Sequence, residues 1–158
     1  KSRYAQASIE EKKIFLLKPD TFMNRSGEAL SDFVEFFKIP IEDIIVVYDE
    51  MDLPLGNIKV QIGGGSAGHK GIESVINYFG KSDFIRVRVG IGKPIEKSGG
   101  IHHVLSQFEK DEKKLVNNVV SRSVDAILEI VHNGVESAMN KFNKKPEVTT
   151  QPRIDTNK

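Results

Sequence analysis

The chain has 158 residues, 39% of them hydrophobic and 28% charged, with a formal net charge of +1 and no cysteine. That length and apolar content suit one globular domain able to bury its own core. The composition excludes a disulfide scaffold, a thiolate metal site and an apolar run of membrane-spanning length. It also excludes a surface made cationic by excess charge alone, although a local basic stripe is compatible with a sum near zero. The absence of cysteine fits a cytoplasmic protein.

In chain order, Lys13–Leu17 (KIFLL) is a nearly continuous apolar run closed by Pro19 and predicts a buried strand. Ala29, Leu30, Phe33, Val34, Phe36 and Phe37 recur at helical spacing and stop before Pro40. Ile44–Tyr48 (IIVVY) predicts a second buried strand, followed by the acidic cluster Asp49, Glu50 and Asp52 and by the turn Leu53–Gly56. Ile58, Val60 and Ile62 alternate as a half-buried strand does. After the glycine-rich run Gly63–Gly71, the residues Ile72, Val75, Ile76 and Phe79 predict a helix stopped at Gly80.

Phe84–Gly92 alternates apolar and basic residues and predicts a strand with Arg86 and Arg88 on one face. Residues 93–103 predict a mobile loop, and Glu109–Val131 a long amphipathic helix ended at Asn133–Gly134. A shorter helix extends to Phe142, and the tail 144–158 has almost nothing to bury and is expected to be disordered. Strands alternate with helices, except between Ile44–Tyr48 and Ile58–Ile62. The architecture this predicts is a single-domain, three-layer α/β/α sandwich with a mixed, mostly parallel sheet and helices on both faces.

A glycine turn between a strand and a helix is a common place to hold phosphate. Gly63, Gly65 and Gly68 fit G-x-G-x-x-G. A dinucleotide site also wants an acid about twenty residues on, at the end of the next strand, and FIRVRV offers none there. A P-loop wants Gly-Lys-Ser/Thr, where this chain has Gly68-His69-Lys70-Gly71. A tightly packed turn without ligand remains open. Asp49, first after IIVVY, stands where open α/β sheets collect ligands and is placed to orient an imidazole. No His or Asp spacing supports a metal ligand set. Asn24 sits at a helix start, where capping is its ordinary role. His69 is a candidate acid, base or hydrogen-bond donor, although a loop histidine taken singly is more often solvated or structural; His102 and His103 are surface residues, and His132 is a helix-end dipole partner.

The order of the blocks is more specific than any one of them. KPDTFMNRSG, VVYDEMDLPLG, GGGSAGHKGIESV and FIRVRVGIGKP, in that order from Lys18 to Pro94, resemble bacterial peptidyl-tRNA hydrolase, and VLSQF with the following helix extends the match to about Phe142. The resemblance implies a monomeric, cytoplasmic enzyme of translation and ribosome rescue, without metal or cofactor. It would hydrolyse the ester joining peptide to tRNA, with a histidine as general base and an aspartate as its partner.

By the resemblance Asp49 is that aspartate, and Asn24 binds the substrate's end and helps position the water. Phe22 and Met23 line the pocket, His69 contacts the peptide-bearing end, and Arg88 clamps the tRNA 5′ phosphate. The family's opening strand and its Thr-Arg-His-Asn segment, which carries the base, do not occur in this chain. Residues 1–143 are therefore expected to be an N-terminally incomplete hydrolase domain that is inactive alone. Lys70 stands where the family has asparagine and would contact phosphate, and Gln61 stands where a basic partner of Arg88 is usual. The alternative is a non-catalytic RNA-binding relative, similar to hydrolase-like factors of organellar intron splicing; a dinucleotide-dependent oxidoreductase is a further rival.

Overall fold

The computed structural model describes residues 2–93 and 100–144. Ser2–Ile9 (β1) and Lys12–Pro19 (β2) form an antiparallel hairpin, with Ser2 opposite Pro19 and Ile9 opposite Lys12. A 3₁₀ turn, Met23–Arg25, leads into Ser26–Phe37 (α1), and a second, Ile41–Asp43, into Ile45–Glu50 (β3). Ile58–Ile62 (β4), Lys70–Phe79 (α2), Ile85–Gly90 (β5), Gly100–Leu105 (α3), Glu112–Asn133 (α4) and Val135–Phe142 (α5) follow.

The main sheet has the order β3-β5-β4, with β3 parallel and β4 antiparallel to β5. Its mixed character is the one expected, and its parallel part is the β3–β5 pair. One face carries Ile44 and Phe84 against Ile72 and Val75 of α2 and against Leu30 and Val34 of α1. The other carries Ile58, Val60 and Val87 against Val119, Ala126 and Ile130 of α4 and Ala138 of α5. Alternation along each strand is what serves both layers, giving the α/β/α sandwich.

Several features depart from the sequence expectation. β1 was not expected, because SRYAQASI holds only Tyr4 and Ile9 as large apolar residues and Glu10–Glu11 carries no turn signal. Both glutamates nevertheless take positive φ, 47° and 65°, as a two-residue hairpin turn requires. β2 is longer than KIFLL and only half-buried. Phe15 packs on Phe33 and Phe37 of α1, while Leu16 on the other face stays 61% exposed. β3 extends through Asp49 and Glu50, so these acids end a strand rather than follow one.

A short helix, α3, occupies part of the predicted 93–103 loop, and α4 starts at Glu112 rather than Glu109. The rest of that loop, 94–99, and nearly all of the expected tail, 145–158, lie outside the described residues. α1 and α2 cross in close contact at Gly27, whose N–H donates to Ser74 Oγ at 3.0 Å. The outer edge of β4 is closed by one side chain. Val60 N–H donates to Asn143 Oδ1 at 2.7 Å and Asn143 Nδ2 donates back to Val60 O at 2.9 Å, so the amide stands in for a neighbouring strand.

Candidate active site

Asp49 closes on the glycine turn from the end of β3, and His69 answers it from the N-cap of α2. His69 Nε2 lies 3.2 Å from Asp49 Oδ1. On its other side, His69 Nδ1 accepts the backbone N–H groups of Gly71, at 3.1 Å, and Ile72, at 3.2 Å. A helix starts with N–H groups that lack partners, and here the imidazole satisfies two of them. A nitrogen that accepts two N–H bonds cannot carry a proton, so the proton of the neutral ring is on Nε2 and is donated to Asp49. Tyr48 fixes the ring plane edge-on, its centroid 5.0 Å away at 67°. The hydrogen bond from His69 holds the Asp49 carboxyl below its ordinary value of 3.8, against the opposing effect of burial.

The 3₁₀ turn Met23–Arg25 packs on α2 beside this pair. Gly71 is buried, and a Cβ there would stand 2.6 Å from Met23 Sδ and 3.0 Å from His69 Cε1. Met23 and His69 therefore flank Gly71 together. Asn24 does not cap the following helix: the N-cap is Arg25, with no side-chain bond, and Arg25 is held instead by Glu28. Phe22, just before this turn, is 81% exposed. A hollow of about 320 Å³ lies along α1, walled by Tyr4, Phe33 and Phe37, and one of about 330 Å³ lies on the segment before it, walled by Asp20, Thr21, Phe22 and Arg25. Neither contains Asp49 or His69. Carboxylates line both, Glu28 and Asp32 the first and Asp20 the second, but neither sets a carboxylate against an imidazole, and the site follows the Asp49–His69 pair.

Arg88 is not a free cation. Its guanidinium donates to Glu50 Oε2 at 3.1 and 2.8 Å and to Gln61 Oε1 at 2.9 Å, with only 17% and 9% of the Arg88 and Glu50 side chains exposed. Gln61 in turn donates to Gly63 O at 2.8 Å, so it links the arginine to the glycine turn. Arg86, which a patch on the strand face would leave exposed, is fully buried. Lys70, 69% exposed, pairs among the described residues with Glu73 at 3.0 Å. Glu50 stood in the sequence only as one of an acidic cluster and Gln61 only in place of a basic partner; that both bind Arg88 is what sequence reasoning missed. Their signal was the shared face of β3, β4 and β5, which needs the register. Away from the site, His103 Nε2 lies 3.2 and 3.1 Å from the Ile91 and Gly92 carbonyls, and His132 pairs with Glu10 rather than only with the helix end.

Among the described residues no group of three His, Cys, Asp or Glu side chains is placed to hold a metal ion, and no helix is long and apolar enough to cross a membrane. An α/β sandwich that sets a half-buried carboxylate against an imidazole, beside an asparagine-bearing turn and arginine and lysine side chains, defines a class: an α/β domain with a charged, polar site at the end of its parallel strand pair. Comparison narrows the class. The family model described as Peptidyl-tRNA hydrolase matches residues 1–150. Peptidyl-tRNA hydrolase of Thermoanaerobacter sp. (strain X514) is 49% identical over 143 residues, covering 90% of this chain and 77% of the relative. That of Clostridium novyi (strain NT) is 39% identical, covering 90% and 76%. A crystal structure of peptidyl-tRNA hydrolase in complex with N-propanol superposes with TM-score 0.85 at 32% identity, covering 92% of this chain and 74% of that one. The enzyme from Acinetobacter baumannii gives 0.84 at 32%, covering 90% and 72%. The chain belongs to the peptidyl-tRNA hydrolase family.

Proposed function

We propose that residues 1–143 form a domain that hydrolyses the ester between peptide and tRNA, releasing stalled peptides and freeing the tRNA. The observation that carries this is the Asp49–His69 pair at the end of β3, with Met23 and Asn24 on the adjoining turn. An ester is cleaved readily once a water is deprotonated near neutral pH and the developing oxyanion meets donors. Asp49 stays ionised and has acceptor capacity beyond the bond from His69, so it can hold a second donor, whether the base or a water. The Asn24 amide aligns water and substrate end, and Phe22 and Met23 receive the apolar part. Lys70 meets phosphate. Arg88, neutralised by Glu50, contributes less to the phosphate clamp than its charge suggests. The same reading takes the domain to act in the cytoplasm as a monomer, without metal or cofactor. The names of the relatives do not favour the RNA-binding alternative.

The geometry of His69 also supports the narrower expectation that these 158 residues alone turn over little substrate. Nδ1 is committed to the start of α2 and the Nε2 proton to Asp49, so this imidazole has no lone pair left to take a proton from water. Two assays test the reading on N-acetyl-aminoacyl-tRNA, following release of free tRNA. The complete product of the gene, whatever its length, is expected to hydrolyse the ester, with Asp49→Asn lowering kcat on the order of a hundredfold or more. An intact ester after incubation with that product refutes the function. Turnover by the 158 residues alone refutes the argument from His69.

A further inference from the structure

We propose that Arg86 is a positioning residue of the site: its guanidinium grips the carbonyls of Gly64 and Gly65 and so sets where the glycine turn delivers His69. Arg86 projects from β5 and is fully buried. One terminal nitrogen donates to Gly65 O at 2.6 Å and the other to Gly64 O. The guanidinium carbon lies 4.6 Å from the centroid of the Phe84 ring, and Nε has no partner. Among the described residues no carboxylate lies within ion-pair reach of it. A buried guanidinium without a counter-ion is costly, and an apolar side chain of similar volume would fill the same space without that cost. Two carbonyl dipoles and an aromatic face are all that offset it. What the arginine does there is hold those two carbonyls.

They belong to the freest part of the turn. Gly63 and Gly64 have φ of 68° and 102°, a region that L residues rarely adopt, and glycine loses the most conformational entropy on being fixed. A planar fork that takes two consecutive carbonyls restricts both peptide planes together. From there the turn is connected to His69 by short steps: Gly68 N–H donates to Ser66 Oγ at 3.3 Å and His69 N–H to Ser66 O at 2.9 Å. His69 then reaches Asp49, which lies on β3, the parallel neighbour of β5. The path is closed: β5, Arg86, glycine turn, His69, Asp49, β3. At 3.2 Å the last bond is already long, so a shift of a few tenths of an ångström in the turn breaks it.

The placement stands apart from the reaction, while its catalytic consequence rests on the hydrolase reading above. Nitrogen-15 spectra of the His69 ring in the 158-residue chain read the placement directly. The wild type is expected to show one tautomer, protonated at Nε2. Arg86→Met and Arg86→Ala are expected to lose the Nε2–H signal to exchange between tautomers, with the amide spectrum of β3 and β5 retained. Arg86→Lys, charged but unable to span two carbonyls, is expected to fail likewise. Added guanidinium ion is expected to restore the signal in Arg86→Ala, which a purely packing role does not allow. In the complete gene product the same variants are expected to lower kcat on the order of ten- to a hundredfold with KM changed by no more than about twofold. Unchanged His69 ring signals in the folded Met or Lys variant overturn the proposal whatever the hydrolysis assay gives. If Met and Ala do not fold, Lys alone decides. Perturbed signals in the variants, together with a wild-type product that leaves peptidyl-tRNA intact, refute the hydrolase reading and leave the placement standing.

Discussion

Replacing Gly27 by alanine sets two known effects against each other, and the structure says which is larger. In the first turns of an exposed helix the change stabilises by up to about 1 kcal/mol, because alanine restricts the unfolded chain. Here the new Cβ would lie 2.2 Å from Ser74 O and 2.5 Å from Ser74 C, both backbone atoms that no rotamer change can move. Relieving the overlap requires α1 and α2 to separate by more than an ångström, which breaks the Gly27 N–H to Ser74 Oγ bond. Overpacking of this kind costs about 1–3 kcal/mol or more, and the lost buried hydrogen bond about 1 kcal/mol. The expected net change is a destabilisation of about 2–3 kcal/mol, or about 4–12 °C in Tm for a chain of this size. Urea denaturation followed by circular dichroism measures it, and the m value should stay constant. A variant as stable as the parent, or more stable, refutes the account of α1–α2 packing. With it would go the claim that this crossing places the Met23–Arg25 turn against His69.

Glu129 accepts from Asn133, Ser137 and Lys141, clasping α4 to α5, and these bonds, led by Lys141 and Ser137, pull its pKa from 4.5 to about 2. A depressed folded value means the clasp contributes fully above pH 4.5 and is lost as pH falls towards 2. Carboxyl carbon-13 titration should place the midpoint near 2, and a midpoint near 4.5 refutes the clasp. Asp49 follows the same sign through its bond to His69, staying ionised below its ordinary 3.8, and Asn at His69 should return it towards that value. Glu50→Gln leaves the Arg88 guanidinium buried without its counter-charge and is expected to cost about 3 kcal/mol in a urea melt, whereas removing both partners with apolar residues costs much less. Asn143→Leu removes both bonds that close β4, for about 2 kcal/mol, and should promote association detectable by light scattering.

What was legible in the sequence divides by range. The α1, α2 and α4 stripes and the alternation of β4 and β5 are local patterns, and each marks an element that forms, although Phe36, Ile62, Val120 and Val124 of those patterns stay half or more exposed. The β1–β2 hairpin was not legible, because its turn uses two glutamates at positive φ and its stability comes from Tyr4 and Phe15 packing on Phe33 and Phe37. Asp49 was picked out by its place after a run of β-branched residues, and His69 by its place in a glycine turn. That the two touch depends on β3 and α2 meeting across the sheet end, which no local pattern encodes. Arg86 and Arg88 look alike in FIRVRV, since both sit on one face at the same period. Their different fates arise from what lies above each: two glycine carbonyls and Phe84 for the first, Glu50 and Gln61 for the second.

The two positions at which the chain departs from the family pattern have a physical sense in the fold. A lysine at position 61 would bring a second cation beside Arg88 and could not both accept from its guanidinium and donate to Gly63 O. Glutamine does both, because its amide carries a donor and an acceptor on one group. The turn is then held at Gly63 by Gln61 and at Gly64 and Gly65 by Arg86, so three consecutive carbonyls are turned into the protein. Peptide planarity directs the N–H groups of Gly64, Gly65 and Ser66 the opposite way, towards the exposed side of the turn. Lys70 stands a few residues on, mostly exposed and paired with Glu73. On the reading proposed above, with Arg88 neutralised by Glu50, the exposed cation left to meet an anion on this side is Lys70. Lys70→Ala should therefore reduce the salt slope of tRNA binding by about one contact, while Gln61→Lys should disturb the turn more than it gains in charge. A Gln61→Lys chain with a steeper salt slope and unchanged His69 ring signals would refute this division of labour.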